Sequence, residues 1–426
     1  MKNLIIAGGG SGGTMLANRM ARRLPADWSV TVVDPETDHV YQPGQLFLPF
    51  GARDEARMLR PRRRTLDARV RWVREAVARV EPDARRVALA GGGSEAYDFL
   101  VIASGARLRP AETPGLEEGP WGQSLHEFYT LPGALAMRGA LAAFPGGRLV
   151  LDVVEMPIKC PVAPMEFLFL ADAFFRRRGI RERVELVYVT PLDGAFTKLA
   201  CNRVLNYLIE QKGIRVETEF NTAELDAGKR VLRSYDDREV PYDLLVSIPL
   251  HGGAEFVEAS GLGNELGFVP THPGTLQAKG QERIFVIGDA TDLPSSKAGS
   301  VAHFQAEVLE ENLLRAVAGR ALEEGYDGHT NCFIETGFGR AILIDFNYET
   351  EPLPGTFPVP GLGPLSLLKE SRLNHLGKLG FRWVYWNLLL PGRPLPISTR
   401  MSMAGKTRDL SALPGVAKKG EPSAAA

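Results

Sequence analysis

The hydrophobic pattern changes period several times along the chain. In "KNLIIAGGGSGGTMLANRMARRLPADWSVTVVD" (2–34), a short apolar run and a glycine turn are followed by apolar residues at helical spacing and a second apolar run. That order predicts strand, turn, helix, strand. The alternation returns in "RLVLDVV" (148–154), "FLFLADAFFRRRG" (167–179) and "VELVYVT" (184–190). Two further apolar strands are expected in "YDFLVIASGARLRP" (97–110) and at the head of "ERIFVIGDATDLPSSKAGSVAHFQAEVLEENLL" (282–314), whose remainder reads as a long helix. Strands alternating with helices predict an α/β protein built on parallel sheets.

The turns between these elements carry the first chemistry. Gly8, Gly10 and Gly13 have the G-x-G-x-x-G spacing between strand and helix. The first glycine permits the tight turn, the second admits a pyrophosphate, and the third lets helix and strand approach. The helix start offers amides and the positive end of its dipole to phosphate. Asp34 closes the second strand, where a carboxylate can accept hydrogen bonds from a ribose. The middle unit differs. Between its strand and helix lies "EMPIKCPVAPME" (155–166), which has no glycine, and its Pro161 and Pro164 cannot donate an amide to phosphate. Its next strand ends in Thr190, not in an acidic residue. The middle unit thus repeats the topology of a nucleotide domain without the means to hold a nucleotide.

Composition narrows the classes. With 426 residues, 44% hydrophobic content and a formal charge of −1, neither disorder nor nucleic-acid binding is favoured. Three cysteines, Cys160, Cys201 and Cys332, form no secreted disulfide framework, and no pair has metal-ligand spacing. No signal peptide is expected, because a strand begins at residue 3, and no run reaches the ~20 apolar residues of a membrane span.

Three stretches together resemble the two-dinucleotide-domain flavoproteins, the pyridine nucleotide–disulfide oxidoreductases: the glycine turn, Ser104-Gly105 after the strand at 97, and Gly288-Asp289 after the strand at 282. The resemblance implies FAD, with Asp289 on the ribityl chain and Lys297 near the flavin pyrimidine edge. Cys160-Pro161 in the middle loop and Cys332 far downstream resemble sulfide:quinone oxidoreductase and its relative flavocytochrome c sulfide dehydrogenase. That likeness implies two Rossmann-like lobes, the second inserted in the first. The FAD lobe would be 1–112 with 270–330, and the middle lobe, carrying Cys160, 113–269. A C-terminal quinone and membrane module (331–405) would carry Cys332, and a disordered tail (406–426) would follow. It also implies a Cys160/Cys332 redox pair that takes sulfide to polysulfide, sulfur or persulfide and hands two electrons through FAD to a quinone. Glu166 and His126 are candidates for proton handling. The third cysteine of many bacterial members is missing from "WGQSLHEFYTLPGA" (121–134), and Cys201 in a helical stretch reads as a structural thiol.

The segment "PLSLLKESRLNHLGKLGFRWVYWNLLLPGRP" (364–394) has Lys369, Arg372, His375, Lys378 and Arg382 at three- and four-residue spacing. They predict one basic helix face, with leucines on another and aromatic residues at the end. Such a helix suits a membrane surface, making the protein a peripheral protein of the cytoplasmic or inner membrane, its sulfur chemistry separable from this segment. Phe346, Phe357, Phe381 and Tyr385 are candidate walls of a quinone channel. The other readings are the flavin subunit of a flavocytochrome c sulfide dehydrogenase, a type II NADH:quinone dehydrogenase and a flavin redox sensor without turnover. Oligomerisation stays open.

Overall fold

The computed structural model describes residues 1–51, 55–411 and 413–414. The chain opens with β1 (Lys2–Ala7), α1 (Ser11–Arg23) and β2 (Trp28–Val33), then adds β3 (Val70–Val73) and β4 (Phe99–Ile102). It then departs to build a second lobe from β5 (Leu125–His126), β6 (Gly147–Val153), α2 (Ala163–Arg177), β7 (Val184–Val189), β8 (Ile214–Glu217) and β9 (Leu244–Ile248). With β10 (Ile284–Val286) and α3 (Gly299–Val317) it returns to the first lobe. The first sheet has the parallel order β10-β4-β1-β2-β3 and the second the parallel order β5-β9-β6-β7-β8. These are the two Rossmann-like lobes that the family resemblance implied.

β1 is apolar throughout because both its faces are covered. Leu4 and Ile6 pack into the main core with Met15, Leu16 and Met20 of α1. Ile5 and Ala7 face a second core with Val80, Val87 and Leu89. Ile5, Ile6, Met15 and Leu16 have no exposed surface, and burying each contributes about 1.5–3 kcal/mol. Strand order reverses at β1, with β2 on one side and β4 on the other. A crevice therefore opens beyond the carboxyl ends of these strands, and the turns at Gly8 and at Ser104-Gly105 both empty into it.

A four-stranded sheet follows in the order β11 (Thr330–Gly337), β12 (Arg340–Phe346), β14 (Gly363–Leu367), β13 (Gly355–Val359). It carries α4 (Arg372–Val384). The basic residues of α4 divide between two environments, Arg372 being exposed while two others turn inward. Its basic residues His375 and Lys378 turn inward to Glu335 and Glu166. Leu373, Leu376, Leu379 and Trp383 face out, with 51%, 59%, 40% and 62% of their surface exposed. The segment after α4 is docked on the first lobe. Asn18 of α1 donates to the carbonyl of Leu390 at 2.8 Å, and Arg22 to that of Gly392 at 2.8 Å. The polar tail starts later than residue 406. The Lys406 side chain is covered and paired with Asp345 at 2.6 Å, and Thr407 N–H donates to the Pro354 carbonyl. The rest of that tail, 412 and 415–426, lies outside the described residues.

Candidate active site

One cavity of about 430 Å³ runs from the glycine turn of α1 to the two cysteines. At its first end, Gly8 and Gly13 are required by sterics. A Cβ at Gly8 would stand 2.5 Å from the Ala103 carbonyl oxygen, and its φ is +111°. At Gly13 a Cβ would stand 2.0 Å from the Gly8 oxygen, so only glycine lets α1 settle on the turn. Gly10 faces open space, with nothing within 4 Å of a Cβ built there. Asp34, just beyond β2, accepts from Gly9 N–H at 2.5 Å and pairs with Arg62 at 3.0 Å. Its carboxylate is thereby fixed at the crevice edge. The Ser104 hydroxyl oxygen is buried without a partner on the cavity wall. An open glycine cradle, a helix start, a fixed carboxylate and an orphaned hydroxyl fit a dinucleotide.

Farther in, Gly288 (φ +72°) donates its N–H to Gln305 at 2.7 Å and turns Asp289 into the cavity. Burial raises the Asp289 carboxyl above its usual range, with Lys297 and Lys159 opposing. Lys297 lines the cavity, but its ammonium donates to the carbonyls of Asp289 and Thr291, both at 2.8 Å, and lies 3.8 Å from the Phe268 ring centre. It clamps the Gly288-Asp289 turn with two of its three N–H donors, at the wall of the same cavity.

At the far end, the loop ahead of α2 delivers Cys160. Its φ of +46° places a non-glycine residue in the left-handed region, an arrangement that costs of order 1–3 kcal/mol and clusters at functional sites. Cys160 N–H donates to the Lys297 carbonyl at 2.7 Å, and the Cys160 carbonyl accepts from Ala163 N–H at 2.8 Å. The loop is thus stitched to the segment that precedes α3. Cys332 enters from β11, and both sulfur residues line the same cavity as free thiols. Burial, then Glu166, raise both thiols, Cys160 well above the ordinary range and Cys332 to about 12. Lys378 acts in the opposite sense on both. Cys201 is buried elsewhere, outside the cavity lining.

Glu166 sits in the first turn of α2, where the helix dipole favours a carboxylate. It accepts from Glu335 N–H at 2.7 Å and from the Lys378 ammonium, which also donates to the Phe333 carbonyl at 3.1 Å. Burial raises the Glu166 carboxyl, and Lys378 opposes the shift. A carboxylate, an ammonium and two thiols thus meet in one enclosed space, a set able to trade protons around sulfur.

Other expected residues fall elsewhere. His126 does not line the cavity. It lies in β5, buried beside β9, with Nε2 bonded to the Gln123 carbonyl at 2.9 Å, and burial lowers its pKa. Of the four aromatic residues, Phe381 lines the cavity. Phe346 is buried beneath Lys198, Phe357 lies on the β13–β14 hairpin, and Tyr385 is fully buried behind the glycine turn. The cavity is instead walled by Phe47, Phe128, Tyr129 and Phe333 with Phe381. Lys378, Lys159 and Arg62 also line it. Lys159 comes with the Cys160 loop, whereas Arg62 and Lys378 reach the cavity only through long-range folding.

The family model described as pyridine nucleotide-disulphide oxidoreductase matches residues 2–131. The mitochondrial sulfide:quinone oxidoreductase of Mus musculus is 28% identical over 396 residues, covering 91% of this chain and 86% of its own. That of Dictyostelium discoideum is 27% identical, covering 92% and 86%. The chain is a homologue of the sulfide:quinone oxidoreductases. Among solved structures, the sulfide:quinone oxidoreductase of Aquifex aeolicus superposes with a TM-score of 0.74 at 21% identity, covering 91% of this chain and 92% of that one. For a homologue of these flavoproteins, FAD is the dinucleotide that the cradle fits. Gly13→Val should weaken FAD binding about 10- to 100-fold, because overpacking of about 1–3 kcal/mol falls on the phosphate turn. Flavin fluorescence titration of the apoprotein would measure it, and unchanged affinity would separate the turn from the cofactor site.

Proposed function

We propose that this chain oxidises sulfide through Cys160 and Cys332 and passes two electrons, by way of FAD, to a quinone at a membrane surface. The observation that carries the reading is the meeting of Cys160 and Cys332 with the Gly288-Asp289 turn in one cavity. Bound FAD supplies a two-electron acceptor that a quinone can reoxidise. The protein's own part begins with the pair as a disulfide. Hydrosulfide attacks one sulfur, the Cys160–Cys332 bond breaks, a persulfide forms on one cysteine, and the other leaves as a thiolate. Lys378 stabilises that thiolate in a space that otherwise favours thiols, and Glu166 takes up or returns the proton. The sulfane sulfur departs as polysulfide, elemental sulfur or the persulfide of a small thiol.

NADH is a poor candidate for the donor. The loop after β6 spends the Cys160 amide on Lys297 and the Ala163 amide on Cys160. Thr190 stands where a ribose-binding carboxylate would be expected. Mixing the oxidised protein anaerobically with sulfide should bleach the flavin within seconds, whereas NADH at equal micromolar concentration should not. Fast bleaching by NADH, with none by sulfide, would overturn the proposal.

The membrane reading rests on the outward face of α4. Leu373, Leu376, Leu379 and Trp383 are joined in exposure by Leu362 and Val359 of the hairpin, 84% and 46% exposed. A patch of large apolar side chains on a helix and a neighbouring hairpin suits the headgroup boundary of a bilayer. Among the described residues no helix is long and apolar enough to cross one. Leu376→Ser combined with Trp383→Ser should reduce liposome binding about tenfold or more while sulfide bleaching is kept. Cosedimentation with vesicles reads the first and stopped-flow absorbance the second.

A further inference from the structure

Tyr385 lies in a π-helical turn (Tyr385–Leu389) that continues α4, and it has no exposed surface. Its hydroxyl is 2.6 Å from Ser11 Oγ and 2.7 Å from His39 Nε2. Ser11 is the first residue of α1, inside the G-x-G-x-x-G turn, and both Ser11 and His39 line the cavity beside Asp34 and Arg62. A C-terminal hydroxyl therefore holds together two side chains of the phosphate-binding end, across 374 and 346 positions of sequence.

The neighbouring contacts point the same way. Asn18 of α1 bridges the carbonyls of Thr65 and Leu390, each at 2.8 Å. Arg22 donates to the Gly392 carbonyl at 2.8 Å, and the guanidinium of Arg60 lies 4.4 Å from the Trp386 ring centre. The dinucleotide helix is thus gripped on its outer side by the turn at 384–392.

We infer that this C-terminal turn is an outer part of the cofactor site, with Tyr385 a positioning residue that fixes Ser11 and His39, so that FAD binding and docking of residues 384–392 are thermodynamically linked. The inference rests on the reading of the glycine cradle as an FAD site. Tyr385 has one hydroxyl proton for two partners, so its loss leaves the buried His39 ring and the half-buried Ser11 hydroxyl each short of a partner. A buried group deprived of its hydrogen bond is expensive to leave unmade. That cost falls on the segment which must meet the diphosphate. Linkage is reciprocal: whatever factor the docked turn contributes to FAD affinity, FAD contributes to docking of the turn.

The test uses the full chain, stripped of flavin and reconstituted with FAD. Tyr385→Phe should bind FAD about tenfold more weakly than the natural protein. FAD should slow hydrogen exchange across 384–392 in the natural protein, and slow it markedly less in the variant. A residue of merely structural importance would lower the melting temperatures of apoprotein and holoprotein alike. A linked residue shrinks the increment that FAD adds. Tyr235→Phe, at an exposed tyrosine between β8 and β9, should leave FAD affinity and that increment unchanged. If the natural protein failed to bind FAD at all, the cofactor reading itself would fall. If it bound FAD, but Tyr385→Phe matched it in affinity and FAD left exchange at 384–392 untouched, the linkage alone would be wrong.

Discussion

Serine at either Cys160 or Cys332 is expected to slow sulfide-driven bleaching of the flavin by about a thousandfold or more, while the flavin spectrum stays intact. The size follows from the chemistry: a hydroxyl can form neither the disulfide that sulfide attacks nor the persulfide that results, so no weaker version of the step survives. The spectrum should survive because the residues that fit FAD stand on the first lobe, at the other end of the cavity. Cys201→Ser should be silent, since that thiol is buried away from the cavity. In the reduced protein both cavity thiols are raised by burial. The thiolate fraction, and with it the rate of alkylation by iodoacetamide, should climb about tenfold per pH unit between pH 7 and 9. Loss of bleaching in Cys201→Ser, with Cys332→Ser still active, would assign the pair wrongly.

Which parts of this site could be read from the chain depends on how local their physics is. Gly13, whose Cβ would strike the Gly8 oxygen, leaves a mark in sequence because that steric demand comes from the same turn, whereas the Ala103 oxygen that excludes a Cβ at Gly8 reaches it only through the pairing of β1 with β4. The glycine-free loop at 155–166 was legible for the same reason, its prolines and cysteine being its own. His126 is a proton-handling candidate by residue type alone, and residue type does not say where the ring sits. β5 sits at the edge of the second sheet, where the ring finds only the Gln123 carbonyl. Helical spacing grouped Lys378 and His375 on one face, and that grouping holds. Spacing could not say what the face meets, and here it meets Glu166 and Glu335 in place of lipid headgroups. Tyr385 was legible as an interfacial aromatic but not as a ligand of Ser11. Its partners lie more than three hundred residues away, and only the docking of α4 on the first lobe unites them.

Lys378→Met tests the electrostatics of the sulfur end. The ammonium faces Glu166 and opposes the upward shift of both thiols, so its removal acts on three groups at once. Glu166, 2% exposed at its side chain, loses its cation and is driven further toward the neutral acid. The thiolate released when sulfide opens the disulfide loses its nearest positive charge. Both changes oppose the step in the same direction, and a fall of about 100-fold in bleaching rate at pH 7 is expected, within the range set by loss of one charged catalytic group. The sign of the pH dependence then separates the two contributions. Thiolate shortage is relieved as pH rises, so the defect should narrow between pH 7 and 9. Loss of Glu166 as a proton acceptor alone would be reproduced by Glu166→Gln. Lys378→Arg keeps the charge and should recover most of the rate, though its planar fork cannot reproduce both the Glu166 and Phe333 contacts of a compact ammonium. Because a buried carboxylate stripped of its partner also destabilises a fold, thermal melting of each variant must accompany the kinetics. A Lys378→Met protein that melts normally and bleaches at the natural rate at pH 7 would show that the cysteines find their thiolate without this cation.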